Sequence, residues 1–220
     1  KAVFYEIFVR SFNDSDGDGI GDFNGITMML DYLNDGDPAT TNDLGINGIW
    51  LMPIFPSPSY HGYDVTDYTA VNSQYGTMED FKVLVSEAHK RGIRIILDFV
   101  INHTSTQHPW FKAALNKDPI YRDYYVWSED NPGFAGPWGQ TVWIPSKSGY
   151  YYALFWDQMP DLNFRNPEVT QDIFDASRFW LEEIGVDGFR VDAARHLVEN
   201  GEVQMNTPET HDWFKGWRTY

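Results

Sequence analysis

Apolar runs that suit buried strands alternate along the chain with stretches whose apolar residues recur at helical spacing. Residues 2–10 are nearly continuous in strand-forming side chains, and residues 77–91 carry apolar side chains three or four positions apart. A helix, then Gly-Ile or Gly-Val, then a buried strand recurs at Gly45, Gly92 and Gly185. This alternation predicts parallel strands joined by right-handed crossovers.

The spacing of these glycines predicts an insertion. The interval from Gly45 to Gly92 suits one strand–helix unit, and the interval from Gly92 to Gly185 is about twice as long. The excess falls at about 104–166, which is rich in Tyr, Trp, Pro and Gly and includes the strand-like run 150–155. We therefore expect a small, irregular β-rich subdomain there. Further helices are predicted at about 25–35, 167–184 and 208–220.

Composition narrows the class of protein. The 220 residues suffice for one large domain or two small ones, and the formal charge of −16 argues against nucleic-acid partners. No apolar run is long enough for a transmembrane helix, and no cysteine is present. The sequence predicts a soluble protein without a signal peptide, but a trimmed secreted protein would look the same. Secretion and a cytoplasmic location therefore both stay open, with a slight preference for secretion.

Aromatic residues make up 17% of the chain, including 9 Trp and 13 Tyr. A large aromatic core explains much of this content, and sugar-binding clefts also use aromatic faces for stacking. The loop at 57–68, after the predicted strand at 45–53, is rich in aromatic, hydroxyl and acidic side chains.

A charged pair stands where a buried strand should end. Arg190 and Asp192 lie two positions apart on the strand that follows Gly185, so their side chains point the same way. A buried carboxylate and guanidinium are costly unless they are paired. Two interpretations stay open: a structural ion pair, or a nucleophilic or basic carboxylate that its arginine keeps ionised at the mouth of a barrel.

An acidic loop near the start of the chain predicts a cation. Asp14, Asp16, Asp18 and Asp22 alternate with Ser15, glycines and Ile20. The first three match EF-hand positions 1, 3 and 5, with the Ile20 carbonyl at position 7. Ca²⁺ is the expected ion, and a solvated acidic turn is the alternative. Asp22 comes too early for a bidentate Glu, and no paired helices flank the loop. A structural metal is therefore expected, and a calcium sensor is not.

Four segments resemble the catalytic domain of the α-amylase family of glycoside hydrolases. They lie in the same order as in the family. Three are on the second, third and fourth predicted strands, and one is near the end of the predicted insertion at about 104–166. The matching segments are residues 48–53, 98–103, 159–163 and 188–196.

The resemblance implies an α/β fold, the eight-stranded (β/α)8 TIM barrel, with an irregular β-rich subdomain inserted after strand 3. Only the first four βα units are expected in this chain. Residues 1–103 would hold barrel strands 1–3, and 104–166 would be the inserted subdomain. Residues 167–220 would hold the third barrel helix, the fourth strand and the following helix.

The resemblance also implies the residues of an active site. Asp192 would be the nucleophile that forms a covalent glycosyl intermediate, and Arg190 would hold it ionised and oriented. Five further residues would bind substrate: His103 and His196 on glucose hydroxyls, Tyr63 under the reacting ring, Arg195 on the leaving-group side, and His61 beside the pocket. Asp98 and Asn102 would support the site, with Asp98 bonded to Arg190.

Simpler roles are open for several of these residues. Asp98 and Asn102 could only cap a strand end, His103 could be a structural histidine, and Tyr63 could pack in the core. Many α-amylases carry a second metal on a set that corresponds here to Asn102, Asp161 and the His196 carbonyl, but the branch of the family that this chain resembles often lacks it.

The chemistry needs a second carboxyl group. A retaining glycosidase places a protonated acid about 5 Å from the nucleophile. In the family this acid is a Glu after the fifth strand, and a third Asp follows the seventh. No Glu of this chain stands at a predicted barrel strand end, so we expect half a catalytic domain. It should be inactive alone and should need the remainder of the same barrel.

The predicted substrate is a starch-like α-1,4-glucan or malto-oligosaccharide, cleaved internally as an α-amylase does. Family members that act on chain ends commonly carry an Asp before the pocket-forming stretch, and Tyr60 followed by His61 stands there instead. An exo-acting α-glucosidase or oligo-1,6-glucosidase is the alternative. A non-catalytic binding or transporter-associated relative is a further one, although such relatives tend to lose the nucleophile.

Overall fold

The computed structural model describes residues 2–220 and places helices and strands in alternation. The strands are β1 (Phe4–Ile7), β2 (Gly48–Leu51), β3 (Arg94–Phe99), β4 (Trp127–Ser128), β5 (Trp143–Ser146), β6 (Gly149–Tyr152) and β7 (Gly188–Val191). The helices are α1 (Phe23–Met28), α2 (Leu30–Leu33), α3 (Met78–Lys90), α4 (Pro109–Leu115), α5 (Pro167–Arg178) and α6 (Pro208–Thr219).

Contacts divide the chain into two compact units. The first contains the chain up to Pro56, together with Tyr68–Phe99 and Arg178–Arg190. The second contains Ser57–Asp67, Val100–Ser177 and Val191–Tyr220. Each unit is assembled from three separate stretches of the chain, so residues far apart in sequence pack together within the same unit.

A sheet with strand order β1-β2-β3-β7 organises the first unit. The pairs β1–β2 and β2–β3 are parallel, with Tyr5 opposite Ile49 and Ile49 opposite Ile95. Ile49, Ile95 and Leu97 are completely buried. Near-continuous apolar strands are typical of parallel sheets covered on both faces, so the predicted parallel arrangement is confirmed for these pairs.

Helix α3 follows its sequence signals closely. The Thr77 and Asp80 side chains form a reciprocal capping box at its start, and Gly92, with φ of +73°, follows its end. One face of α3 buries Phe81 and Leu84 completely. The prediction of a helix at 77–91 is confirmed.

Two predicted elements of the first unit are shorter than expected. β1 spans Phe4–Ile7 because its pairing partner β2 ends opposite Ile7, and a 3₁₀ turn at Val9–Ser11 replaces the end of the predicted strand. The predicted helix at 25–35 is two helices, α1 and α2. Met29 between them has φ of −99° and ψ of 2°, outside helical geometry.

The predicted helix at 167–184 changes its geometry partway. α5 ends at Arg178, and a wider π-helical turn at Phe179–Ile184 continues to Gly185, which has φ of +87°. In this turn Trp180 is completely buried, and its Nε1 donates to the Tyr68 carbonyl at 2.6 Å. Wider turns of this kind re-aim a bulky side chain at the expense of regular backbone bonds.

The second unit contains the antiparallel sheet β4-β6-β5. Its core includes Val142, Trp143, Tyr152 and Leu154. This sheet lies within the insertion at about 104–166 that the sequence predicted to be β-rich, and β6 occupies part of the predicted strand-like run 150–155. Helix α4 in the same stretch was not predicted. Within residues 2–220, every helix is too short or too polar to cross a bilayer.

Candidate active site

An ion pair with one buried partner joins two strands of the first unit. The Asp98 side chain, near the end of β3, is completely buried, and the Arg190 guanidinium on β7 lies 3.2 Å from its Oδ1 and 3.3 Å from its Oδ2. The Arg190 guanidinium carbon also lies 5.1 Å from the centre of the Trp50 ring. The predicted bond between Asp98 and Arg190 is therefore present.

His103 lies in the second unit as a buried, neutral imidazole. Its Nε2 lies 3.1 Å from the Tyr63 carbonyl, so Nε2 carries the proton and donates to that oxygen. Burial lowers the pKa of His103 to about 4, although the Asp192 charge opposes the shift. With this N–H engaged by the Tyr63 carbonyl, the neutral ring keeps Nδ1 as an acceptor, and the Asn102 Nδ2 lies 3.4 Å from it.

The loop at 57–67 holds a carboxylate that sequence reasoning missed. Asp64 is buried and accepts hydrogen bonds from the hydroxyls of Ser57, at 2.5 Å, and Ser59. The His61 Nδ1 accepts from the Tyr63 N–H at 3.1 Å, and the His61 and Tyr63 rings lie 6.0 Å apart. An Asp preceded by two serines within seven residues could have pointed to this network, because short hydroxyl side chains readily satisfy a nearby carboxylate.

The turn after β7 presents the candidate nucleophile. Asp192 lines a cavity of about 390 Å³ together with the segment from Ala193 to His196, Trp138 and Phe155. Ala193 has φ of +52°, a left-handed conformation that non-glycine residues rarely adopt, and a 3₁₀ turn follows at Ala194–His196. Backbone strain of this kind persists where the surroundings hold a side chain in a required place.

His196, in the same unit as His103, is also buried. Its Nδ1 lies 2.8 Å from the Gln204 carbonyl, and its Nε2 accepts from the Arg195 Nε at 3.2 Å. Burial lowers the pKa of His196, and the neighbouring Arg195 charge adds to that shift. The predicted residues Asp192, Arg195 and His196 therefore line one cavity, with Trp138 and Phe155 as lining residues that were not predicted.

Two of the segments that carry the family resemblance pair with each other. His103 and Asp161 form an antiparallel bridge, and the Asn102 Nδ2 donates to the Asp161 Oδ2 at 2.9 Å. Burial raises the pKa of Asp161 well above its usual value, although hydrogen bonds from Leu154 and Asn102 oppose the shift. The Asn102 Oδ1 is buried without a hydrogen-bond partner among the described residues. Asn102 and Asp161, two of the three residues that correspond to the second metal site of many α-amylases, thus lie together.

The acidic loop gathers three carboxylates. Among residues 2–220, Asp14, Asp16 and Asp18 are the one group of three or more acids or histidines whose ligand atoms all lie within 4.8 Å of one another. The Asp14 carboxylate accepts from the N–H groups of Gly19, at 2.8 Å, and Gly17, at 2.7 Å, which lower its pKa.

Asp22 is placed differently from these three. Its carboxylate accepts from the Gly25 N–H at 2.6 Å, which caps α1, and from the Ser15 N–H at 2.8 Å. It is not a member of the group of three. Asp22 therefore closes the loop onto the helix that follows.

Comparison with known proteins identifies the family. The family model described as "Alpha amylase, catalytic domain" matches residues 6–220. The chain therefore belongs to the α-amylase catalytic domain family, a family of glycoside hydrolases.

The relatives are named for different enzymatic activities. Alpha-amylase 3 of Dictyoglomus thermophilum is 49% identical over 221 residues, which are 100% of this chain and 40% of the relative. A trehalose synthase of Pimelobacter sp. is 43% identical over 100% of this chain and 39% of the relative. An oligo-1,6-glucosidase of Parageobacillus thermoglucosidasius is 40% identical over 96% of this chain and 37% of the relative.

Solved structures give the same result for the fold. The crystal structure of an alpha-amylase from H. orenii is 54% identical with a TM-score of 0.90, covering 98% of this chain and 44% of that one. A Bacillus licheniformis trehalose-6-phosphate hydrolase is 36% identical with a TM-score of 0.90, covering 100% of this chain and 42% of that one. The chain thus spans about 40% of the length of the relatives that it matches.

Proposed function

We propose that this chain contributes the nucleophile to a retaining glycoside hydrolase that cleaves α-1,4-glucosidic bonds inside starch-like glucans. The observation that carries the proposal is the cavity that Asp192 lines together with Arg195, His196 and two aromatic rings. Carbohydrate sites combine aromatic surfaces with a few polar groups that fix orientation. Membership of the α-amylase family makes a glycosidic bond the expected target.

Asp192 would act as the nucleophile. Its carboxylate oxygen would form a bond to the anomeric carbon while the bond to the leaving oxygen breaks, and water would then hydrolyse the glycosyl ester. His103 and His196, both neutral, would bind sugar hydroxyls. Tyr63 would lie under the reacting ring with His61 beside it.

Arg190 would be a positioning residue. It stands two residues before Asp192 in sequence, and its ion pair with the buried Asp98 fixes its guanidinium. The family resemblance implies that this arginine orients the nucleophile.

The acid must come from another carboxyl group. Glu199 has its pKa raised to about 7 by burial, which would suit an acid, but it lines a different cavity from Asp192, together with Arg165 and Asn163. We propose that the acid lies in the part of a longer barrel to which the relatives extend. The 220 residues alone should then cleave no glucan, and turnover by the isolated chain would refute this point.

The finer architecture belongs to the same proposal. Four βα units of a (β/α)8 barrel would occupy 1–103 and 167–220, with the subdomain at 104–166. The parallel pairs β1–β2 and β2–β3 and the separate antiparallel sheet support this division.

A structural Ca²⁺ ion is proposed for the acidic loop. The hard carboxylate oxygens of Asp14, Asp16 and Asp18 suit Ca²⁺, with the Ile20 carbonyl as a further ligand and Asp22 bracing the loop or binding directly. A second cation is proposed at Asn102, Asp161 and the His196 carbonyl. The buried, unpartnered Asn102 Oδ1 supports that site.

Internal cleavage is favoured over action at chain ends. The Tyr60 side chain is 70% exposed, and its ring lies 5.5 Å from that of His61. We propose that this position, without the Asp of the exo-acting members, leaves the site open to a longer chain. The oligo-1,6-glucosidase among the relatives favours the alternative, an exo-acting glucosidase.

The test uses the longest natural protein that contains these residues, beside its Asp192→Asn variant. Soluble starch and a short 1,6-linked glucoside serve as substrates. Internal cleavage of starch by the parent, reduced about 1,000-fold or more in the variant, is the expected result. Glucose release from the short substrate alone would assign the exo-glucosidase function. Full activity in the variant would refute the role of Asp192, and an inactive parent would point to a non-catalytic relative.

A further inference from the structure

One buried carboxylate holds the loop at 57–67, a segment that contains no helix or strand. Asp64 is 2% exposed. The Ser57 hydroxyl donates to its Oδ1 at 2.5 Å, and the Ser59 hydroxyl donates to the same oxygen. A buried carboxylate is costly without such donors, because it has given up the water that would otherwise solvate its charge. The carboxylate and the two hydroxyls therefore fix this part of the loop to one another.

The Ser59 hydroxyl also lies beside the His61 ring. Its Oγ is 3.1 Å from the His61 Nδ1, and the Tyr63 N–H donates to that nitrogen at 3.1 Å. A backbone N–H can only donate, so Nδ1 is an acceptor and Nε2 carries the proton of the neutral ring. Because Asp64 takes the Ser59 proton, the Tyr63 N–H is the donor that selects this tautomer.

His61 keeps one hydrogen-bond donor that the protein does not use. Each hydrogen bond that the His61 ring makes to residues 2–220 is at Nδ1. The ring is half-buried, and its centre lies 5.5 Å from that of Tyr60 and 6.3 Å from that of Trp156. A few well-placed polar groups orient the ligand in a typical binding site. The Nε2–H of His61 is therefore available to an oxygen of a bound molecule.

The same loop supports a second histidine of the candidate active site. The Tyr63 carbonyl accepts from the His103 Nε2 at 3.1 Å, and Asp64 follows Tyr63 directly in the chain. A substitution of Asp64 has two routes to the site: through Ser59 to the His61 ring, or through the backbone of Tyr63 to His103. These routes predict different results when the His61 donor is removed as well.

We propose that Asp64 is a positioning residue for His61, which donates its Nε2–H to a hydroxyl of the bound glucan. Asp64 is itself too buried to touch a substrate, so it acts through Ser59 and the ring that Ser59 contacts. The inference rests on the proposed function, in which Tyr63 lies under the reacting ring with His61 beside it. A site built to donate to one hydroxyl rejects sugars that lack it, because the donor is then left unpaired.

The test compares the longest natural protein that contains these residues with single variants, and KM and kcat are measured on maltoheptaose. His61→Phe keeps a ring without a donor and should raise KM about 3- to 10-fold, the effect of one neutral hydrogen bond. Asp64→Ala should raise KM by a similar factor with kcat changed less than about twofold, because a contact made equally in ground and transition states affects KM alone. Asp64→Asn retains an oxygen that accepts from both serines and should stay closer to wild type.

A double variant shows whether Asp64 acts through His61. Once the ring has no donor, Asp64→Ala should raise KM no further, so the double variant should have the KM of His61→Phe. Ser59→Ala cuts the same link while Asp64 keeps Ser57, and it carries the test if Asp64→Ala does not fold. Asp130→Asn, at an exposed acid of the same unit, is the matched control and should keep the wild-type KM. Thermal unfolding midpoints identify variants that lose the fold, which would lower kcat and leave KM unchanged.

The outcomes are distinct. A wild-type KM in His61→Phe, or in both Asp64→Ala and Ser59→Ala, would overturn this inference alone. KM increases that multiply in the double variant would also overturn it, because Asp64 would then act by the separate route through Tyr63 and His103. A wild-type protein that leaves maltoheptaose intact would overturn the proposed function and this inference together.

Discussion

The Arg190 guanidinium lies 3.2 Å from the carboxylate of Asp98, a side chain with no exposed surface, 92 positions earlier in the chain. Arg190 itself is 40% exposed, so one end of the pair is buried and the other reaches solvent. A buried carboxylate that loses its cationic partner destabilises a fold strongly. The pair thus couples the end of β3 to β7.

Removal of the arginine should lower stability more than neutralisation of the aspartate. Arg190→Met should reduce the free energy of unfolding by about 3 kcal/mol, because it leaves a buried carboxylate without that guanidinium. Asp98→Asn should cost less, and the double variant should lose less than the sum of the two single losses. Urea unfolding measures all three, and additive losses would contradict the coupling.

His108 should make stability fall as the solution is acidified. Its Nδ1 accepts from the Trp110 N–H at 3.1 Å and so caps α4, and burial lowers its pKa from 6.5 to about 4. Between these values the unfolded chain binds more protons than the folded one, so stability rises with pH there and is constant above it.

His108→Asn keeps an acceptor for the cap and does not titrate. Its unfolding midpoint should therefore vary less between pH 4 and 6.5 than that of wild type. His211→Asn, at an exposed position on α6, is the matched control and should behave as wild type. Equal pH slopes in wild type and His108→Asn would contradict the prediction.

Glu199 should make stability fall as the pH rises, the opposite of the effect of His108. Burial raises its pKa from 4.5 to about 7, although Arg165, 3.8 Å away, opposes the shift. The folded state then holds the proton more tightly, so stability falls as pH rises from 4.5 to 7, by up to about 3 kcal/mol. Glu199→Gln should remove this loss in thermal melts. Glu209→Gln, at an exposed partner of Arg165, should retain it.

Calcium should stabilise the protein through the acidic loop. Ca²⁺ at a hundredfold excess over its Kd should add about 2.7 kcal/mol, and a chelator should remove that gain. Asp16→Asn with Asp18→Asn should abolish the response in a thermal shift assay. Asp37→Asn alters an acid outside the group of three and should leave it intact. A melting temperature that chelator does not change would refute the ion.

The sequence by itself determined the elements whose causes are local. The capping box at Thr77 and Asp80, the glycine at 92 and the apolar spacing between them suffice for α3, because each acts within a few residues. The parallel order of β1, β2 and β3 follows from alternation of strands and helices. The bond between Asp98 and Arg190 was expected from the family resemblance, and the structure contains it.

Tertiary packing decided the features that depend on distant partners. β1 stops where β2 stops, and the π turn after α5 lets Trp180 reach the Tyr68 carbonyl, 112 positions away. The burial of Asp64 is likewise a result of packing, although the two serines that precede it in the sequence are its hydrogen-bond partners.

At Trp138 the sequence predicts the local turn, and tertiary packing decides what the ring contacts. Its sequence neighbourhood contains glycines and a proline, which predict a turn and say nothing of what the ring faces. The ring reaches Phe155 and His196 because two long-range hydrogen bonds hold residues 135–141 in place. The Gln140 side chain donates to the Leu154 carbonyl, 14 positions away, and the Gln204 side chain donates to the Ala135 carbonyl, 69 positions away. Local sequence signals thus predict the helices and turns, because their causes lie within a few residues. The contacts between distant side chains depend on long-range hydrogen bonds and packing, which form only in the folded chain.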